Sequence, residues 1–308
     1  MNVDLWFQFK CQDEITKKNS LQNDILNLVC KTKTKQTMAF IASTQRHQWF
    51  YSTSKLQELR NLAPLLPITK HYLLKLSQLC QFVEVPTHIE ATAMMYFQRV
   101  YLRHSISTTT DFIPQNVVLA CIYLAAKVEE WKTNHLESLL RKLANIGAVH
   151  QQLVVETELQ ILQAMSFHIT VFHPFQCHDA LIKEISQTHN WKSRLSQTKQ
   201  AAVGGVLSRG TDLLKFLQAR SLQLLKRSYM TDTCFLYSPA QLALASLIAA
   251  CHLPGVGVAA PNENEMMGMK TDVGLFVEGH FRKFKHYSLL VEVVQGAAAM
   301  MLEKLEVV

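Results

Sequence analysis

The sequence predicts an all-α protein of two tandem domains, each built round one enclosed central helix. Three observations predict it. Apolar residues recur at three- and four-residue spacing along most of the chain, with no sustained two-residue alternation of the kind strands show. The segment "PQNVVLACIYLAA" from Pro114 aligns without gaps to "PAQLALASLIAAC" from Pro239, with Leu119 on Leu244, Ala120 on Ala245 and Ile122 on Leu247. Each copy follows a helix that ends in an aromatic, Tyr101 before the first and Tyr229 before the second. Small alanines within a bulky apolar helix let neighbouring helices approach closely on every side.

Length and composition agree. A chain of 308 residues suits two domains of ordinary size, and 48% hydrophobic against 18% charged residues argues for folded cores. Residues 1–43 fit no core pattern firmly and read as a disordered extension. Helices are expected at 53–62, 68–83, 87–103, 114–131, 135–145, 150–166, 174–187, 211–229, 239–252 and 276–304. Ser54 with Gln57, Thr87 with Glu90 and Asn134 with Glu137 have capping-box spacing. Pro114 and Pro239 stand at first-turn positions, where no backbone donor is lost. The Gly-, Pro- and Asn-rich stretch from His252 to Gly274 reads as a loop before a C-terminal helix. Gly204, Gly205 and Gly210 weaken any helix there.

Several function classes fall away. The longest apolar runs are shorter than the ~20 residues a hydrocarbon core requires, and the polar start fits no secretory leader, so a soluble intracellular protein is expected. Seven scattered cysteines include no C-x-x-C pair, which suggests neither a zinc ribbon nor a disulfide framework; Cys80, Cys121 and Cys251 lie in apolar helical patterns. The net charge of +7 is spread thinly, its densest cluster being "KTKTK" at Lys31 to Lys35. No Gly-rich phosphate loop, metal-spaced set or activated nucleophile is found, so no enzyme, cofactor or metal is expected. His168, His173 and His178, at spacings that share no helical face, read as structural.

Two charges resist this pattern. Where the first Pro-initiated helix carries Lys127 at its end, the second has His252, so core packing alone does not demand a lysine. In the helix "HQQLVVETELQILQAMSF", Glu158 falls amid Val154, Val155, Ile161, Leu162 and Met165, opposite the polar stripe of Gln152, Glu156, Gln160 and Gln163. Burying such a carboxylate alone costs several kcal/mol, so it needs a partner, and Lys127 is the natural one. The pair serves either as an internal staple between two helices or as part of a patch that receives another protein.

These residues resemble a known family. "YLAAKVEEW", followed by Glu158 in "ETELQILQAMSFHITVFHPF", resembles the cyclin box, whose lysine and glutamate fall on Lys127 and Glu158 and whose following aromatic falls on Phe167. "AMMYFQRVYLRHSI" is similar to the second helix of the box. "TDTCFLYSPAQLALASLIAAC" resembles the second box of transcription-type cyclins, and "QRHQWFYSTSKLQELR" resembles the amino-terminal helix of the cyclin H branch.

The fold implied is two tandem cyclin-box domains of five helices with flanking N- and C-terminal helices. It divides into a helix region at 44–66, a first box at 67–172, a second at 173–253 with an insertion at 191–216, and a loop with C-terminal helix at 254–308. Residues 1 to about 37 have no counterpart in the family, which leaves initiation near Met38 open. The first helix of the box lacks the usual substrate-docking patch, with Lys70 and Gln98 at its polar positions.

The resemblance implies a regulatory subunit that activates a cyclin-dependent serine/threonine kinase in the nucleus. Lys127 and Glu158 would supply polar contacts, and Val128, Leu162, Phe167 and Ile169 apolar ones, against the kinase's mobile C-helix and activation segment. The partner implied is the catalytic subunit of the CDK-activating kinase, joined by an assembly factor and general transcription factor IIH. A cyclin C-like subunit of a Mediator kinase is the alternative within the family. A nucleic-acid-binding relative such as transcription factor IIB would require a zinc ribbon and a basic recognition helix, and neither is found. Neither a membrane nor direct nucleic-acid contact is expected.

Overall fold

The computed structural model describes residues 40, 42–62, 66–104, 112–131, 136–188, 209–252, 263–281 and 294–301. Among the described residues all regular structure is helical, and no helix is long and apolar enough to cross a membrane. The chain divides into two compact units, one of them Ala42–His173 and the other running from Pro174 to Val308.

In the first unit the helices are α1 (Thr44–Gln48), α2 (Thr53–Leu62), α3 (Leu66–Phe82), α4 (Thr87–Arg103), α5 (Pro114–Val128), α6 (Leu136–Gly147) and α7 (Gln151–Ala164). Helix α5 is the hub and packs against α3, α4, α6 and α7. Its alanines make this possible: Ala120, Ala125 and Ala126 are buried to the last atom, and so is Cys121, whose thiol burial pushes well up. Cys80 likewise lies wholly inside, a small core residue.

The second unit contains α8 (Phe175–Ser186), α9 (Arg209–Ser228), α10 (Thr233–Leu236), α11 (Pro239–Ala250) and α12 (Glu263–Phe281), with a further helical segment at 294–301. Helix α11 is its hub, contacting α8, α9, α10 and α12. Its entry is fixed by a full capping box: Ser238 Oγ accepts from the Gln241 N–H while Gln241 Oε1 accepts from the Ser238 N–H at 2.8 Å, with Pro239 at the first position.

Local expectations were corrected in four places. Thr87 is inside α4 rather than capping it, and Glu90, its supposed box partner, instead accepts from Ser77 Oγ on α3. The cap of α2 comes from Ser52, whose hydroxyl accepts from the Lys55 N–H at 3.2 Å, two residues before the expected Ser54. Helix α5 stops at Val128, not 131, because Glu130 turns left-handed (φ 52°) and the Trp131 N–H reaches back to the Ala126 carbonyl at 3.0 Å. That closure uses no glycine, so the sequence carries no stop signal. Residues 263–274, expected as loop, form the first part of α12. Met269, Val273, Phe276 and Val277 supply a buried stripe at helical spacing that outweighs the helix-breaking tendency of Gly268 and Gly274. Asn134, the glycines at 204 and 205 and the extension up to residue 39 lie outside the described residues.

Candidate partner-binding site

The site is built on the C-terminal end of α5 and one side of α7. Lys127 Nζ donates to Glu158 Oε1 at 2.7 Å, joining the two helices. The pair is unequal: the Glu158 side chain is 6% exposed and that of Lys127 43%. The ammonium also lies 5.3 Å from the centre of the Tyr123 ring, one helical turn back on α5. Glu158 and Tyr123 therefore hold a lysine whose remaining donors face solvent.

Helix α7 sits rotated from the expectation. Its buried residues are Val154, Thr157, Glu158, Ile161 and Met165, an arc centred about 45° away from Glu158 on a helical wheel. Glu158 thus lies at the edge of the buried stripe rather than its middle. Beyond that edge comes a strip of apolar residues in water: Val155 at 38%, Leu159 at 53% exposed, and Leu162 half-buried. The apolar arc of this helix is wider than its own core can cover, a surplus typical of surfaces that bind protein.

The strip continues past the helix. Ser166 and Phe167 are both left-handed (φ 53° and 59°), and the Phe167 N–H closes α7 on the Leu162 carbonyl at 2.9 Å. Two consecutive non-glycine residues in that region cost on the order of 1–2 kcal/mol each. Their effect is to leave Phe167 61% exposed, as a residue offered to a partner must be. Ile169 follows after a three-residue turn, its N–H on the Phe167 carbonyl at 2.9 Å, and is half-buried. Val128, next to Lys127, is half-buried as well. Of the six residues expected from sequence, the structure joins Lys127 to Glu158 directly and links Leu162, Phe167 and Ile169 through backbone bonds; Val128 adjoins them by sequence alone.

"VEE" after Lys127 also finds its explanation. Thr92 Oγ1 on α4 donates to Glu129 Oε1 at 2.7 Å and lies 2.7 Å from His173 Nε2. With the hydroxyl proton committed to the carboxylate, the imidazole N–H donates to the threonine oxygen. Burial drives His173 below its ordinary pKa, a pull that Glu129 only partly offsets. Burial alone would raise Glu129, but the His173 imidazole, its Nε2 3.8 Å from the carboxylate, and the hydrogen bond from Thr92 hold it below the usual carboxylate range. His178, in the second unit, is fully buried with Nε2 2.7 Å from Ser221 Oγ. Among the described residues no set of His, Cys, Asp and Glu is gathered as a metal would require.

Sequence reasoning missed Val155, Leu159 and Tyr123. For the first two the signal was available, since 155, 159 and 162 repeat at helical spacing beside Glu158. Tyr123 was legible only by contrast with Ile248, its counterpart in the second copy.

Known proteins resemble this chain over part of its length. Residues 37–170 match the family model of the cyclin N-terminal domain. Over 215 residues, 66% of this chain, the sequence is 25% identical to Cyclin-H of Xenopus laevis and covers 58% of it. The chain resembles the cyclin family. Within that family its likeness is to the transcription type, and cyclin C shares in it. Cyclin-C1-2 of Arabidopsis thaliana is 32% identical over 124 residues, 37% of this chain and 47% of that protein. The chain spans about half the length of those relatives. Among solved structures it resembles a chain of the CAK complex of Chaetomium thermophilum bound to ATP-gamma-S. The TM-score is 0.63 at 18% identity, covering 88% of this chain and 81% of that one.

Proposed function

We propose that this cyclin binds and activates a cyclin-dependent serine/threonine kinase of the CDK-activating type associated with transcription factor IIH, acting in the nucleus as a regulatory subunit without chemistry of its own. The observation that carries the reading is the exposed apolar strip of α7 and Phe167 lying beside a lysine fixed by a buried glutamate. An aliphatic ground with a few oriented charges is the composition of an interface core. The likeness to Cyclin-H and to a chain of the CAK complex supports the choice of partner.

The mechanism follows from these positions. Leu159, Leu162 and Phe167 give up water against the apolar face of the kinase's C-helix, with Val128 and Ile169 at the margin. Lys127 offers its free donors to polar groups at the end of that helix, and Glu158 keeps the ammonium aimed. Because this surface fits the C-helix only when the helix has swung in, binding energy shifts the kinase towards its active arrangement. There the kinase's own Lys–Glu pair forms and its activation loop opens. In this reading residues 67–172 form the first box and 173–253 the second.

The test is co-purification with the catalytic subunit of the CDK-activating kinase, comparing the native chain with Leu159→Arg. Since Leu159 is mostly exposed, the variant folds; a cation in the strip is expected to abolish binding and kinase activation. Native affinity in the folded variant would overturn the proposal. A second reading, the cyclin C-like subunit of a Mediator kinase, is favoured by the higher identity to Cyclin-C1-2 in the matched region. The identity of the kinase retained decides between them.

A further inference from the structure

One face of α4 holds the extended segment that leaves α7, and it does so through the backbone of that segment. Thr92, Tyr96 and Arg99 lie at spacings of four and three, on one side of the helix. Arg99, wholly buried, donates from one guanidinium nitrogen to the His168 carbonyl at 2.7 Å and from the other to the Thr170 carbonyl at 3.2 Å. Between them Tyr96 donates its hydroxyl proton to the Ile169 carbonyl at 2.7 Å. Thr92 takes the His173 imidazole, and Gln45 of α1 accepts the Phe172 N–H. Three successive carbonyls, 168 to 170, are thus occupied by two side chains.

The guanidinium is itself fixed from behind, lying 5.0 Å from the ring of buried Trp49. Burial pushes the Tyr96 phenol well up, so it remains a donor at any physiological pH.

The segment held in this way carries Ile169 and begins directly after Phe167, whose left-handed backbone is unfavourable on its own. A short stretch without helical or sheet bonding of its own would relax and let the aromatic fold back on the apolar strip. We infer that Tyr96 and Arg99 are positioning residues of the partner-binding surface, holding Phe167 and Ile169 in their exposed placement by gripping the carbonyls of residues 168–170. The inference rests on the kinase-binding reading. Because the grip is on backbone atoms, it constrains where this loop lies without dictating its side chains, so Phe167 and Ile169 can change to suit a partner while their placement persists.

The experiment uses Tyr96→Phe, which removes one hydroxyl and keeps the buried ring, in the full chain. Affinity for the CDK-activating kinase catalytic subunit is measured together with amide hydrogen exchange. Cys80→Ala, a buried change on α3 away from the segment, serves as the control for loss of stability. Lys127→Gln serves as the control for the interface itself. Tyr96→Phe is expected to weaken binding by roughly fivefold, the equivalent of one lost hydrogen bond. It should also speed exchange at 167–172 with the α7 amides unchanged, while Cys80→Ala leaves affinity alone. Arg99→Lys, which cannot span two carbonyls, is expected to do more, about tenfold or beyond. Unchanged affinity in Tyr96→Phe while Lys127→Gln still weakens binding would overturn this inference and leave the kinase reading standing. A loss of affinity without faster exchange at 167–172 would overturn it too. If Lys127→Gln binds like the native chain, the kinase reading fails and the inference fails with it.

Discussion

The two Pro-initiated helices, α5 and α11, are alike until their last turn, and there they part. Both begin with proline and both are buried hubs. In α11 the closing pair is Ile248 and His252, and the imidazole Nδ1 lies 2.8 Å from the carbonyl of Ile248 in its own helix. In α5 the same two positions are Tyr123 and Lys127, and the ammonium leaves its helix for Glu158 on α7. One ending is local and serves the helix; the other is long-range and presents a charge to solvent. An enclosed helix in this fold can close without a lysine, so Lys127 is accounted for by its bond to Glu158 on α7 and not by the packing of α5 itself.

The widest separation between the two endings should come in binding. Lys127→Ala is expected to weaken kinase affinity by about 30-fold or more, as loss of an interface hot spot does, while His252→Ala changes it less than about twofold. Titration calorimetry or surface binding with the purified catalytic subunit measures both, and equal effects would dissolve the contrast.

Stability gives the next separation. Lys127→Ala strands a nearly buried carboxylate and should cost about 2 kcal/mol, whereas Glu158→Gln keeps volume and an acceptor and should cost less than about 1 kcal/mol. Urea unfolding of the two variants tests the order. A reversed order would mean that Glu158 is not the dependent member of the pair.

Acid should act on both units. His173 and His178 are each held below their ordinary pKa by burial, so the unfolded chain takes up protons before the folded one does. Stability is then full above about pH 6.5 and falls as the pH drops below it, by up to about 1.4 kcal/mol per pH unit for each imidazole. Glu129, depressed in the fold, adds its loss only below about pH 4.5. Melting temperatures from pH 7.5 to 5.5 should fall, and His178→Gln should flatten the slope; a flat native profile would contradict the buried neutral imidazoles.

The smallest effect is the most selective. Phe167→Gly removes a left-handed aromatic and should leave the protein as stable or up to about 1 kcal/mol more stable, while kinase affinity falls several-fold. Ser166→Gly should give the same stabilisation with affinity kept. If both variants bind equally well, Phe167 is no part of the surface.

Much of the fold was legible because it is local. Apolar spacing marked α4 at its observed limits, 87–103, and the two prolines marked the starts of α5 and α11. The lysine and glutamate were legible because a charge in an apolar stripe demands a partner. What escaped was long-range or stereochemical. Helix closure by Glu130 and Ser166 lacks the glycine that would announce it. The grip of Tyr96 and Arg99 joins residues about seventy positions apart through backbone atoms, which leave no trace in side-chain pattern. Gly268 and Gly274 were read as breakers, though the buried stripe around them holds a helix together.

The most direct measurement replaces the ion pair with apolar residues of similar size, Lys127→Met with Glu158→Leu, and follows melting temperature and kinase binding together. Exchanging such a pair for a packed apolar one is commonly neutral or stabilising. The expected result is a fold that melts at or above the native temperature and no longer holds the kinase. A folded double variant that binds and activates the kinase as the native chain does would show that the pair is only a staple between α5 and α7.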